Sequence, residues 1–153
     1  MGVERYTAGM PSYDYPRPAL SVDVVAIAGP AESRCVLLVR RGQEPFTGRW
    51  ALPGGFVDEN EPLEVAARRE LAEETGLALD TPLAHVGAFG DPGRDPRGWT
   101  VSVVFGAVID DEAPPVRGGD DAAEAAWHVL DSLPPLAFDH DRVLASAREM
   151  LGV

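Results

Sequence analysis

Three glutamates carry the chemistry this sequence most readily suggests. Glu70, Glu73 and Glu74 stand at i, i+3 and i+4 within a segment of helical spacing. At about 3.6 residues per turn, their side chains leave one helical face within a single turn. Like charges this close repel one another and weaken an isolated helix. A divalent cation is the natural compensation. Hard ions such as magnesium, with manganese as the second choice, take carboxylate oxygens. Taken alone, such a trio is more often a solvated acidic face. The residues around it decide the matter.

Leu63, Ala67 and Leu71 recur at i, i+4 and i+8, which gives the same segment an apolar stripe for the core. Pro62 suits a helix's first turn, and Gly76 is placed to end the helix in the left-handed conformation. Glu61 and Arg69 are about two turns apart, so they can support each other or the preceding loop. Gly54 and Gly55 allow backbone conformations that other residues resist, and can present a carbonyl to a metal.

The elements that must position this helix surround it. Leu20 to Ile27 and Arg34 to Arg40 are apolar, β-branched runs joined by the turn Gly29-Pro30-Ala31-Glu32-Ser33, a hairpin pattern. Trp50-Ala51-Leu52 is a short extended piece, broken at Pro53-Gly54-Gly55. Beyond the helix, Leu83 to Phe89 and Thr100 to Ile109 read as strands, and Ala125 to Leu130 as a short last strand. Asp139 or Asp141 begins a C-terminal helix with Val143, Leu144 and Met150 at helical spacing. Strands, helix, strands, helix predict an α/β (α+β) sandwich with a mixed β-sheet between helices. A length of 153 residues suits one such domain. Residues 1–18, with Pro11, Pro16 and Pro18, read as an N-terminal arm, and 19–153 as the single domain. Cys35, the only cysteine, is expected to be a small core residue.

The full pattern is Gly55, five residues, Glu61, seven residues, Arg69-Glu70-Leu71, one residue, Glu73-Glu74, one residue, Gly76-Leu77. It resembles the signature of the Nudix hydrolases at all nine specified positions. The order of elements is also similar to the Nudix fold from about Leu20 onward. The resemblance implies a metal-dependent pyrophosphohydrolase that cleaves a nucleoside diphosphate linked to another moiety. It implies Glu70, Glu73 and Glu74 as metal ligands, with the Gly55 carbonyl as a further one. Glu61 and Arg69 would support the box structurally. The carboxylate that completes water activation lies in the box, as Glu73 or Glu74, or on a later acidic loop. There Glu124 is preferred to Asp120 and Asp121.

Segments outside the box point toward a substrate. Tyr13 to Leu20, Arg40-Arg41-Gly42, Trp50 to Gly55, Arg94 to Gly98 and Phe138-Asp139-His140 are together similar to the small ADP-ribose pyrophosphatases. They are also similar to ADP-ribose-recognising Nudix modules. The likeness implies cleavage of ADP-ribose to AMP and ribose 5-phosphate. Arg40, Arg94 and Arg97 are then expected to grip the diphosphate, and Phe89 or Trp99 to stack on the adenine. Trp50, His85, His128 and His140 read as structural residues. Two other readings stay open: a house-cleaning nucleoside triphosphate pyrophosphatase and a non-catalytic ADP-ribose sensor. The complete set of box carboxylates, and a chain ending at Val153 without a DNA-binding segment, speak against the sensor.

The net charge of -12 argues against a nucleic-acid partner. No export signal or membrane-length apolar run is visible, so the cytoplasm is the default location. The apolar strands and the N-terminal arm would allow a homodimer.

Overall fold

Strand β1, Ala19–Ala28, has no polar face to offer solvent over most of its length. Val22, Val24 and Ala26 pack to one side of it and Val25 and Ile27 to the other, all fully buried. A strand apolar on both faces needs cover on both. The computed structural model, which describes residues 11–153, shows how that cover is supplied. Helix α1, Leu63–Thr75, lays Ala66, Ala67 and Leu71 against Val22, Val24, Leu37 and Phe105. Helix α2, His140–Leu151, lays Val143, Leu144 and Ala147 against Val25, Ile27, Leu38 and Val104. The mixed sheet therefore lies between two helices, as the order of elements predicts.

The sheet forks at β1, and the fork makes the site. Along one edge, β1 pairs in parallel with β6 (Thr100–Ile109) from Ala19↔Thr100 to Ala28↔Ile109. Its other edge has two antiparallel partners. Strand β2, Cys35–Arg41, pairs only with Ile27 and Ala28. Strand β4, Gly54–Phe56, pairs with Ser21, Val22 and Asp23. Between these contacts β1 and β2 part, and β2 turns to β3 (Trp50–Ala51) and β7 (Ala122–Val129). Strand β5, Ala84–Phe89, completes the sheet beside β6. The Val24 N–H donates to the Pro53 carbonyl at 2.8 Å and anchors the glycine turn in the fork. Helix α1 follows a few residues later, so its start is fixed relative to the fork.

Helix α1 ends as expected. Gly76 adopts φ +73°, and its N–H closes on the Ala72 carbonyl at 2.9 Å. Other expectations shift. Pro53-Gly54-Gly55 does not simply break the chain, because Gly54 and Gly55 lie flat against β1 as strand β4. Strand β7 starts at Ala122 and absorbs Glu124, which was expected in a loop. Cys35 is half-buried at the start of β2, with Sγ 3.8 Å from the Ser33 carbonyl, and is not a core residue. Residues 1–10 of the expected arm lie outside the described residues, and 11–18 are exposed and lead into β1. No described helix is long and apolar enough to cross a membrane.

Leu71 is fully buried between α1 and the sheet. Leu71→Ala should destabilise the fold by about 2–5 kcal/mol. A urea titration should show the midpoint falling with the slope unchanged.

Candidate active site

Helix α1 turns Glu70, Glu73 and Glu74 toward a cleft of about 520 Å³. Gly55 lies directly against the first of them. A Cβ at that position would sit 2.5 Å from the Glu70 carboxyl carbon and would displace that carboxylate from its present place. Gly54 is the more rigidly confined, because the Val22 carbonyl and the Asp23 backbone leave no room for a Cβ where β4 meets β1. Its N–H donates to Glu74 Oε1 at 2.8 Å.

Arg69 is the main cation among these carboxylates. Its Nε donates to Glu61 Oε2 at 2.7 Å and its Nη2 to Glu61 Oε1 at 2.9 Å, a two-pronged grip. Its Nη1 reaches Glu70 at 2.8 Å and Glu73 at 3.2 Å. The hydrogen bonds from Arg69 hold the Glu61 carboxyl down to about 2. Glu61 in turn accepts the Asp58 N–H at 3.0 Å and closes the loop before α1. Glu74 has no such cation. Burial, with Glu70 and Asp23 nearby, pushes its carboxyl up to about 8 against the opposing Gly54 hydrogen bond and the weaker pull of Arg41. Burial also raises Glu70, although Arg69 pulls the other way.

A buried polar layer supports the glycine turn. His140, at the start of α2, accepts the Leu52 N–H on Nδ1 at 3.0 Å. Burial lowers its pKa, which keeps the ring neutral with the proton on Nε2, 3.8 Å from Asp23 Oδ1. The other Asp23 oxygen accepts the Ser102 hydroxyl. Strand β1, strand β6 and helix α2 thus meet beneath Leu52-Pro53-Gly54. A lone aspartate in the apolar run Leu20 to Ile27 is the one sequence signal of this layer. His140 gives none.

The opposite wall is cationic and aromatic. Arg94 grips Asp139 through Nε at 3.0 Å and Nη2 at 2.7 Å. Asp139 is the N-cap residue of α2, and with its carboxylate engaged by Arg94 it makes no side-chain cap. Arg97 grips Asp95 at 3.1 and 2.8 Å. Burial would raise Asp95, but the hydrogen bonds from Arg97 outweigh it and leave the carboxyl below its ordinary value. Phe138, at φ +54°, holds a left-handed conformation uncommon for a bulky residue. Its ring meets Phe46 edge-on at 4.9 Å. The Arg41 guanidinium lies 4.9 Å from that ring, and burial lowers its pKa. From the third side, the loop after β6 docks on the end of α1. Arg117 N–H donates to the Thr75 carbonyl at 2.9 Å, and Gly119 passes so near the Glu73 carbonyl that a Cβ would not fit. This contact delivers Asp120 to the cleft, close enough to raise Glu70.

The NUDIX domain model matches residues 17–147. The chain belongs to the Nudix family. The ADP-ribose pyrophosphatase of Methanocaldococcus jannaschii is 41% identical over 130 residues, covering 85% of this chain and 73% of that protein. The Nudix domain of Shewanella oneidensis NrtR, solved with ADP ribose, aligns at a TM-score of 0.84 and 33% identity over 99% of each chain. A bifunctional NMN adenylyltransferase/ADP ribose pyrophosphatase from Francisella tularensis, solved with AMP and a Mn ion, aligns at 0.79 and 28% identity. That match covers 90% of this chain and 43% of the other. A Nudix hydrolase is what the intact box and the pyrophosphatase relative support.

The Nudix box offers oxygen donors only, the set that hard divalent ions prefer. Among the described residues no three acidic, His or Cys side chains converge into a closed ligand group, and Arg69 holds Glu70 and Glu73. The donors still fit such an ion. Glu74 is a buried carboxylate whose one hydrogen bond is the Gly54 amide, with Glu70 near it and Asp120 near Glu70 in the same cleft.

The expected substrate residues, and the candidate base Glu124, divide. Arg40, Arg94 and Arg97 line the cleft, and Phe89 and Glu124 do not. Phe89 packs with the core under α2. Glu124 faces Arg40 across the β2–β7 pair at 3.8 Å. Trp99 is exposed beside a separate hollow formed by the β5–β6 loop. Arg41, Phe56, Phe138 and His140 line the cleft without having been anticipated as ligand contacts.

Glu74 makes a pH prediction for the metal-free protein. Its folded carboxyl keeps a proton up to about 8, against 4.5 ordinarily, so the folded state binds more protons between those values. Stability is highest below the lower value and falls as pH rises through the higher one. Glu74→Gln removes this decline. Thermal unfolding in chelator should show the variant more stable than wild type at pH 8, with the gap narrowing toward pH 5.

Proposed function

We propose that this protein is a magnesium-dependent ADP-ribose pyrophosphatase producing AMP and ribose 5-phosphate, with residues 19–153 as its single catalytic domain. The observation that carries the reading is the placement of Glu74. It is a buried carboxylate beside Glu70, facing a wall of arginines and aromatics across a cleft of nucleotide size. The 41% identical relative and the ADP-ribose complex at a TM-score of 0.84 support the substrate.

In this reading Glu70, Glu73 and Glu74, with the Gly55 backbone, hold the divalent ion. When bound, the ion neutralises the diphosphate and lowers the pKa of an attacking water. Arg69 holds Glu70 and Glu73 on their face of the helix and fixes the loop through Glu61, while the Gly54 amide holds Glu74. Asp120 takes the proton of the water, in preference to Glu124. It lines the cleft beside Glu70 and has no hydrogen-bonded partner among the described residues. The aromatic wall at Phe56 and Phe138 receives the less charged parts of the substrate. The ADP-ribose-bound neighbour also favours a second reading, binding without hydrolysis.

The test is a panel of ADP-ribose, other ADP-sugars and deoxynucleoside triphosphates with magnesium, with products separated by chromatography. ADP-ribose should yield AMP and ribose 5-phosphate. Glu74→Gln should lower kcat by about 100-fold or more while the fold persists. Faster turnover of the triphosphates would move the protein to the triphosphate pyrophosphatases. Binding of ADP-ribose without turnover under any divalent ion would make it a sensor.

A further inference from the structure

Five arginines line the cleft, and four of them have carboxylate partners. Arg69 serves Glu61 and the box. Arg94 and Arg97 are each held two-pronged, by Asp139 and Asp95. Arg40 faces Glu124 at 3.8 Å near the surface. Arg41 differs. Its Nε donates to the Pro45 carbonyl at 2.6 Å, and its two terminal nitrogens have no hydrogen-bond or ion-pair partner among the described residues. The Phe138 ring lies 4.9 Å from its guanidinium carbon. The register of β2 against β7 shifts between Arg40 and Arg41. Such an irregularity re-aims the side chain that follows it.

We infer that Arg41 is the residue that grips the substrate's diphosphate, in the same cleft as the box glutamates. With Nε tied to the chain and the plane resting on Phe138, the two free N–H edges form a fork fixed before the ligand arrives. A fork of this kind matches two non-bridging oxygens of a phosphate group, which a lysine cannot do. Arg94 and Arg97 would have to break two hydrogen bonds each to do the same. Phe138 is a positioning residue here, since it holds the plane of Arg41. The inference rests on the cleft being a nucleoside diphosphate site, and its test separates the two claims.

Affinity for the non-hydrolysable α,β-methylene ADP is measured by calorimetry with magnesium, alongside steady-state kinetics on ADP-ribose. Arg41→Ala should weaken α,β-methylene ADP by about tenfold or more, and Arg41→Lys should recover only part of that loss. On ADP-ribose the change should appear mainly in KM. Phe138→Leu should weaken binding less than Arg41→Ala, and Phe138→Tyr should restore it. Manganese binding and melting temperature confirm that each variant keeps its fold and its box. An Arg41→Ala protein within twofold of wild type overturns the inference. So does full rescue by lysine, a larger loss from Arg97→Ala, or a wild type that does not bind the analogue. If wild type binds the analogue and leaves ADP-ribose intact, the proposed substrate falls, and Arg41 is judged on the affinity ratio alone.

Discussion

Glu74 accepts the Gly54 amide at the floor of the cleft, and much of the structure serves to keep a carboxylate at that point. A buried carboxylate without a cation is costly, which is why Glu74 retains its proton so far above its ordinary range. The fold sustains that cost from three sides. The α1 stripe of Ala66, Ala67 and Leu71 fixes the helix on the sheet. Gly54 lets β4 lie against β1 where a side chain would collide with backbone, and Gly55 leaves room for the Glu70 carboxylate. His140 and Asp23 hold the turn from below. Arg69 balances Glu61, Glu70 and Glu73 and does not reach Glu74, for which Arg41 is only a minor opposing charge. The site is therefore stressed in the one place where a divalent cation would relieve it.

The fork of β1 gives this arrangement its geometry. A parallel partner pairs with β1 along the whole of one edge. The two short antiparallel partners on the other edge leave a gap that the glycine turn enters. The cleft opens where β1 and β2 part, so the box helix, the Arg41 end of β2 and the β5–β6 loop face one another across it. Loop 117–121 closes the third side by docking on the last turn of α1.

Legibility in the sequence followed the range of the interaction. The glutamate face of α1, its Gly76 stop and the sandwich of strands between helices all follow from local spacing, and all are present. The Glu61–Arg69 contact forms as well, although Glu61 lies in the loop before α1 and it is that loop's closure, not helical spacing, that brings it to Arg69. The substrate wall was not. Arg94 is taken by Asp139, forty-five positions away, and no local pattern announces that pairing. Arg40 and Arg41 are adjacent, and only the register shift against β7 distinguishes the paired one from the free one. Glu124 was drawn into β7 because the strand begins three residues before its apolar run. Phe89 was drawn into the core because α2 covers that face of the sheet.

The central claim is that the box is a set of repelling carboxylates awaiting a divalent cation. Melting temperature followed through a manganese titration at pH 8 tests it most directly, in wild type and in the Glu70→Gln/Glu74→Gln double variant. Wild type should start lower and rise steeply as manganese is added, while the double variant should start higher and stay nearly flat. Equal rises in the two proteins would contradict the account.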